Sequence, residues 1–213
     1  PETRTAATGM AAQIASVSAE RVRDELVKLL CGEDPRRGIE LLVDTGLADH
    51  VLPELRELRE CNDPIHRHKD VYDHTLAVVE NAMELEGDEP DFVLRFAALL
   101  HDIGKPDTRQ IHRDGTVTFH HHDVVGARMT RKRMRALRFD KQTTGDVARL
   151  VEMHLRFHTY KLGWTDAAVR RYVRDAGDLL ERLNALTRAD VTTRNPRKAA
   201  RIQRRVDELE RRI

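Results

Sequence analysis

The stretch that decides the fold is AALLHDIGKP, residues 97–106. Four aliphatic residues lead directly into His101 and Asp102, and Gly104 and Pro106 follow within a few positions. The apolar run predicts a buried helix, and the glycine and proline predict that this helix stops there. A histidine–aspartate pair at such a point is a surface feature, a polar cap or part of a metal site, and the rest of the sequence decides between these.

Composition favours a helical, water-soluble protein, because 34% of the 213 residues are charged and only 4% are aromatic. This length holds one or two domains with a sizeable core. Cys31 and Cys61 lie far apart without a CxxC motif, so they indicate neither a disulfide framework nor a thiolate zinc site. We therefore expect a reducing, cytoplasmic location. We expect no membrane partner, since no apolar run approaches the roughly 18 residues of a membrane span.

Helical periodicity recurs along nearly the whole chain, so the expected fold is all-α. The exception is TRQIHRDGTVTF, residues 108–119, which alternates on both sides of Asp114-Gly115 and predicts one small β-hairpin. We divide the chain into a helical segment over 1–60 and a second unit over 61–213. Predicted helices cover 19–30, 71–85, 123–137, 143–158, 165–176, 178–193 and 197–212.

Four predicted helices each place an imidazole or a carboxylate in phase with aliphatic core residues. These polar residues are His74, His101, His154 and Asp190. Taken singly, a histidine on an apolar face is more often a hydrogen-bonded core residue than a metal ligand. Taken together, they need a common counter-charge, because unpaired buried carboxylates are costly, and a divalent cation supplies that charge. Donors without thiolates suit Mn, Ni, Co, Fe, Zn or Mg.

At these positions the sequence resembles the HD-domain phosphohydrolase superfamily, which is named for its His-Asp doublet. The resemblance implies an HD-domain helical bundle, and it implies that one divalent metal is bound by His74, His101, Asp102 and Asp190.

Family members with two metals add histidines between the doublet and the last aspartate. Here His122 and His154 are the candidates for a second metal, for phosphate contact or for acid–base work. His122 fits the family's F-x-x-H-D/E-x-x-G-A pattern, but spacing alone leaves His120 and His121 open. The pair His66 and His68 is a weaker ligand prediction, since nothing nearby completes a site.

A closer resemblance covers almost the whole chain. SAERVRDELVKLL, PRRGIELLVDTGLADHVLPEL and HRHKDVYDHTLAVVE, residues 18–30, 35–55 and 66–80, are similar to the neck and body of bacterial CCA tRNA nucleotidyltransferases of the poly(A) polymerase-related class. A CCA-adding or a poly(A)-adding parent protein stays open. The Gly-rich loop and D-x-D pair of that family's catalytic head do not occur here. We therefore expect a fragment of a longer protein that does not add nucleotides by itself.

The resemblance implies a metal-dependent phosphohydrolase acting on nucleotide phosphoesters. Asp102 and Lys105 are the predicted catalytic residues: the metal would activate water and polarise a phosphoryl oxygen, and the lysine would neutralise phosphoryl charge. Lys105 is equally well explained as a solvated helix-end lysine. Two alternatives are a non-catalytic tRNA-binding module, which four converging helices argue against, and a free-standing HD signalling hydrolase, which the neck-like first sixty residues argue against.

One predicted helix carries six basic residues over positions 128–138 and no acidic residue. Such a density of like charge predicts a polyanionic partner. Composition alone slightly favours a solvated arginine-rich face, whereas the resemblance to tRNA enzymes favours RNA contact. The predicted RNA-binding residues are Arg128, Arg131, Lys132, Arg133 and Arg135.

Overall fold

The computed structural model describes residues 2–61, 71–159, 164–193 and 195–213, so the predicted ligand pair His66 and His68 lies outside the described residues. Within these ranges the all-α prediction is confirmed. The helices are α1 (Glu2–Met10), α2 (Ala19–Leu30), α3 (Pro35–Asp44), α4 (Ala48–Val51), α5 (Glu54–Glu60), α6 (Val71–Met83), α7 (Phe92–Leu100), α8 (Lys105–Thr108), α9 (His122–Ala136), α10 (Lys141–Met153), α11 (Asp166–Ala176), α12 (Leu180–Ala189) and α13 (Pro196–Arg212).

The predicted hairpin is present. Strand β1 (Gln110–Ile111) pairs antiparallel with β2 (Val117–Thr118), and Gly115 takes a left-handed φ of 82° in the turn between them. Glycine adopts this backbone conformation without steric cost, which is why the Asp-Gly pair predicts the turn.

Short polar side chains set where several helices begin. Asp91 accepts a hydrogen bond from the backbone N–H of Leu94 at 3.1 Å, and Asp140 accepts one from Thr143 at 2.9 Å. Each carboxylate satisfies an amide that has no partner within the first turn of its helix. These caps fix the starts of α7 and α10, which both end at the candidate site.

The buried residues form one continuous hydrophobic core that extends from Leu26 in α2 to Leu209 in α13. Helices α6, α7, α10 and α12 pack around its centre. The predicted division after residue 60 therefore cuts through a shared core and stays a prediction. None of the helices in the described ranges is long and apolar enough to cross a membrane.

Several arginines connect the first sixty residues to the rest of the molecule, and two of them, Arg95 and Arg133, are largely buried. Buried Arg95 of α7 forms an ion pair with Glu86 and donates from Nη1 to the carbonyls of Leu30 and Gly32 at 2.7 and 2.9 Å. Because these two carbonyls lie at the end of α2, the guanidinium completes the hydrogen bonding of that helix terminus. In a second connection, Arg133 of α9 pairs with Glu54 of α5, with 2.9 Å between Nε and Oε1.

Candidate metal centre

The six predicted metal ligands converge on one place in the core. Three of them, His101, His154 and Asp190, are the residues that directly follow the last residues of α7, α10 and α12. Three helix C-termini therefore meet at the centre, and the partial negative charge of a helix C-terminus favours a cation. The remaining ligands come from α6, from the turn after α7 and from the start of α9; they are His74, Asp102 and His122.

The first ligand set joins His74, His101 and Asp190. The Nε2 atoms of the two histidines are 3.3 Å apart, and Asp190 Oδ1 lies 3.0 Å from His74 Nε2 and 3.8 Å from His101 Nε2. These three atoms point at a common centre, as ligands of a single ion do.

The second ligand set joins Asp102, His122 and His154. Here the two Nε2 atoms are 3.2 Å apart, and Asp102 Oδ1 lies 3.2 Å from His122 Nε2 and 3.9 Å from His154 Nε2. All three residues are buried.

Asp102 connects the two sets. Its Oδ1 faces the second set, whereas its Oδ2 lies 3.2 Å from His101 Nε2 and 3.6 Å from His74 Nε2 in the first set. A carboxylate whose two oxygens face two groups of donors has the arrangement of a bridging ligand between two cations. The geometry therefore suits two metal ions rather than one.

Hydrogen bonds on the far side of each ring determine which nitrogen carries the proton. The Nδ1 atoms of His101, His122 and His154 lie 2.8, 2.8 and 2.6 Å from the carbonyl oxygens of the residues three positions earlier. A carbonyl only accepts, so each Nδ1 donates and the Nε2 of a neutral ring presents its lone pair to the centre. The Nε2 atoms of His122 and His154 lie 3.2 Å apart, and two lone pairs that face each other cannot form a hydrogen bond. A cation bound between the two rings would accept both lone pairs.

The charges of the site also fit a divalent cation. Burial alone would raise the pKa of Asp102, but His101 and Lys105 hold it well below its usual range. Burial likewise opposes ionisation of Asp190, yet the hydrogen bond from His74 and the charge of His101 lower its pKa. Burial and His101 lower the pKa of His154 to about 4, so this imidazole is neutral at neutral pH. Burial alone would lower the pKa of His101, but the charge and hydrogen bond of Asp102 raise it. Carboxylates and imidazoles without a thiolate are donors for Mn, Fe, Co, Ni, Zn or Mg.

The run of three histidines is resolved by backbone geometry. His120 and His121 are exposed, and His121 takes a left-handed φ of 64° just before α9 begins. His122, the next residue, is buried, and its Nδ1 bonds the carbonyl of Phe119. The histidine that the F-x-x-H pattern favours is thus the one of the three that lies beside Asp102 and His154, and the phenylalanine of that pattern supplies the carbonyl.

Gly104 has a different role from the one expected. Helix α7 ends at Leu100, and Gly104 has an ordinary helical φ of −80°, so it does not stop the helix through a left-handed conformation. Instead, a Cβ on Gly104 would lie 2.7 Å from the backbone nitrogen of Gly126. The two glycines allow the turn after α7 to approach α9 closely, and this approach brings Asp102 to His122.

Lys105 lies beside the bridging carboxylate. Its Nζ is 2.6 Å from Asp102 Oδ2, and the ammonium group lies 5.7 Å from the centroid of the Phe119 ring. This position at the centre does not fit a purely solvated lysine, and the predicted catalytic role stays a proposal.

Thr192, which was not among the predicted site residues, contacts His74. Its Oγ1 lies 2.8 Å from Nδ1 of His74, so a hydroxyl takes the place that backbone carbonyls take behind the other three histidines. A threonine two positions after the last ligand is the only sequence signal, and it is weak.

The five predicted RNA-binding residues of α9 divide into two groups. Arg131 pairs with Glu152 at 3.1 Å, and Arg133 pairs with Glu54 across to α5. The other three are exposed and spaced i, i+4 and i+7, which places them on one face of the helix. This exposed basic face consists of Arg128, Lys132 and Arg135.

Comparison with known proteins covers both parts of the chain. Residues 71–211 match the HD domain family, and residues 1–58 match a family described as the probable RNA- and SrmB-binding site of polymerase A.

Two of the similar proteins are tRNA nucleotidyltransferases by name, and a third is a multifunctional CCA protein. The chain is 39% identical to an A-adding tRNA nucleotidyltransferase of Deinococcus radiodurans and 36% identical to a CC-adding tRNA nucleotidyltransferase of Thermus thermophilus, each over 80% of this chain and 38% of the relative. It is 34% identical to a multifunctional CCA protein of Neisseria gonorrhoeae over 66% of this chain and 33% of that protein. The chain thus spans about two fifths or less of the length of these relatives. With two thirds of its residues matched, together with the His-Asp centre, the chain belongs to the HD-domain family.

Proposed function

We propose that the chain carries a two-metal phosphohydrolase centre and is the RNA-contacting and HD portion of a tRNA nucleotidyltransferase. The observation that carries the hydrolase proposal is Asp102, whose two oxygens face two separate ligand sets, each completed by imidazole Nε2 atoms. Placing the buried carboxylate of Asp102 and the largely buried one of Asp190 beside four imidazoles costs desolvation that a purely structural core would avoid.

The residues of the site have distinct roles in this proposal. His74, His101 and Asp190 would hold one ion, His122 and His154 would hold the other, and Asp102, whose two oxygens face both sets, would contribute to each. Bound divalent ions supply Lewis acidity toward a phosphoryl oxygen and lower the pKa of water. Lys105 places a positive charge 2.6 Å from Asp102, where it stabilises negative charge that develops on a phosphoester during hydrolysis. The proposed substrates are nucleotide phosphoesters, such as 2′,3′-cyclic nucleotides and terminal phosphates.

The proposed macromolecular partner is tRNA. The match of residues 1–58 to an RNA-binding family and the names of the relatives support it. We assign the contact to the exposed basic face of α9, because Arg131 and Arg133 are engaged with glutamates of the protein itself. Such a contact would bind phosphates with little sequence preference and would weaken as salt increases. A tRNA partner accords with the expected cytoplasmic location.

Metal analysis and a turnover assay test the hydrolase proposal. We expect the purified chain to contain close to two metal equivalents and to hydrolyse bis(p-nitrophenyl) phosphate with Mn²⁺, Ni²⁺ or Mg²⁺. His122→Ala should abolish this turnover, whereas His121→Ala is the matched control, since His121 is adjacent but exposed. A chain without bound metal, or turnover that survives His101→Ala with Asp102→Ala, would contradict the proposal and favour a non-catalytic tRNA-binding module.

A further inference from the structure

The β-hairpin is connected to the candidate metal centre at both of its ends. Before β1, helix α8 begins with Lys105, whose Nζ lies 2.6 Å from Asp102 Oδ2. After β2, the carbonyl of Phe119 accepts a hydrogen bond from Nδ1 of His122 at 2.8 Å. Residues 109–116, which lie between these two connections, are all exposed. The hairpin therefore projects into solvent from the edge of the metal centre.

The two faces of the hairpin differ in character. His112 and Thr118 lie on one face, because His112 Nε2 is 3.0 Å from Thr118 Oγ1. Ile111 and Val117 are paired across the two strands, and they lie on the opposite face because neighbouring residues of a strand point to opposite sides. Val117 is buried, so this opposite face is turned toward the protein. The hairpin thus has a polar outer face and an apolar inner face.

The inner face of the hairpin extends from the core into solvent. At its inner end, Phe119 packs against the hydrophobic core. At its outer end, Ile111 is 65% exposed, the highest value for a large hydrophobic side chain in the described ranges. A single exposed isoleucine is common on protein surfaces, but this one continues an apolar face that begins beside the metal centre. We call Ile111, Val117 and Phe119 the apolar shelf.

Basic residues flank the apolar shelf at both ends. The Lys105 ammonium group lies near both Asp102 and Phe119, at 5.7 Å from the centroid of the phenylalanine ring. Arg109 is exposed and has an extended backbone, so alternation places it on the same face as Ile111. A phosphoester held at the metal centre would lie next to Lys105, and the group attached to its phosphate would reach the shelf. An apolar surface edged by cations suits a nucleobase, which has a π-face and is joined to a negatively charged phosphate.

We propose that the apolar shelf binds the nucleobase of the phosphoester substrate, with Ile111 as a specificity-determining residue. This inference rests on the proposed phosphohydrolase function and deepens it, because it makes the base part of what the site recognises. Esters that carry a base are then preferred over esters of the same phosphate chemistry without one. Since the shelf touches the base and not the reacting phosphate, its contacts are equal in the ground state and the transition state. They therefore lower the KM and leave kcat unchanged.

The test compares 2′,3′-cyclic AMP with glycerol 1,2-cyclic phosphate, which has the same cyclic diester but no base, in the presence of Mn²⁺. We expect the KM of the wild-type chain to be about tenfold lower for the nucleotide, because only the nucleotide stacks on the shelf. Ile111→Ala should raise the KM for the nucleotide about 3–10-fold through lost apolar contact, with kcat and the KM for the baseless ester unchanged. Ile111→Tyr should lower the KM for the nucleotide, because aromatic rings stack well on bases. Gln110→Ala, the matched control on the outer face, should change neither KM.

Several outcomes would overturn the inference. Equal KM values of the wild-type chain for the two cyclic esters, an unchanged KM in Ile111→Ala, or a parallel rise for both esters each contradicts it, while hydrolysis of bis(p-nitrophenyl) phosphate keeps the proposed function. A lower molar mass of Ile111→Ala in light scattering, with unchanged KM, would show that the shelf contacts a second copy of the chain instead. A wild-type chain that hydrolyses none of the three esters would remove the proposed function and this inference with it. Far-ultraviolet circular dichroism of each variant checks that the fold is retained.

Discussion

The chain contains two His-Asp doublets, and only one of them contributes both residues to the site. His101 and Asp102 follow the end of α7, and both side chains are buried in the metal centre. His122 and Asp123 begin α9; the histidine belongs to the second candidate ligand set, while the aspartate is only half-buried and belongs to neither set. Neighbouring residues on a continuing helix point about 100° apart. The doublet after the end of α7 therefore supplies two candidate ligands, whereas the doublet at the start of α9 supplies one.

The largest expected effect is a difference in metal content between variants of Asp102 in the first doublet and Asp123 in the second. Asp102→Asn removes the charge that faces both ligand sets, so we expect metal content to fall from two equivalents to below one. Asp123→Asn, the same change in the second doublet, should leave metal content at the wild-type value. Elemental analysis after dialysis measures both variants, and equal metal loss in the two would contradict the bridging role.

The next effect is a difference in stability between alanine variants of Gly104 and Gly126, the glycines that follow the two doublets. Gly104→Ala places a methyl group against the backbone of Gly126, so we expect a loss of about 1–3 kcal/mol in the free energy of unfolding. A Cβ on Gly126 would lie 3.3 Å from Gly104 N and 3.4 Å from Val151 Cγ1, which is tight but not prohibitive. Alanine also gains up to about 1 kcal/mol of helix propensity over glycine. Gly126→Ala should therefore be the milder variant in urea unfolding, and the reverse order would refute the assigned close approach.

A smaller effect concerns the outer surface of the helix that the second doublet begins. Reversing Lys132 and Arg135 to glutamate should weaken tRNA binding about tenfold or more at low salt and flatten its dependence on salt, because phosphate contacts are lost. Metal content should not change. Filter binding at several salt concentrations measures the tRNA affinity and its dependence on salt. Undiminished affinity would show that the exposed basic face of α9 does not contact tRNA.

The smallest effect concerns Arg133, which lies on the same helix but is paired with Glu54. Arg133→Met should leave RNA affinity nearly unchanged and lower the free energy of unfolding by about 1–2 kcal/mol, because a half-buried hydrogen-bonded ion pair is lost. Thermal and urea unfolding measure the change. Unaltered stability combined with a loss of RNA binding would instead show that Arg133 contacts RNA.

Much of the site could be predicted because it follows helical periodicity. Four of the six candidate ligands are polar residues in an apolar phase, the other two follow from the family motifs, the Asp-Gly pair marks the hairpin turn, and α2 covers the predicted 19–30. The first sixteen residues were not assigned a helix, since α1 has no buried residue and therefore no apolar stripe. The helix predicted over 143–158 ends at Met153. Phe157, which extends the apolar pattern of that helix in the sequence, lies in a separate 3₁₀ turn and is still buried.

Other features leave no trace in one sequence. The partners of His101, His122 and His154 are backbone carbonyls, which every residue possesses. The sequence of side chains therefore cannot reveal which ring nitrogen carries the proton. The pair of Arg133 with Glu54 joins residues 79 positions apart, so the sequence displays only a run of basic residues. Gly104 looks like a helix terminator because spacing along the chain does not reveal that Gly126 lies against it.

Arg95 connects the end of α2 to the helix that leads into the His-Asp doublet. It holds the end of α2 from the fourth residue of α7, and His101 follows about 9 Å further along the same helix axis. The residue that binds the end of α2 and the first residue of the doublet therefore belong to one continuous helical segment. The candidate metal centre and the first sixty residues are thus joined by side-chain hydrogen bonds as well as by the shared core.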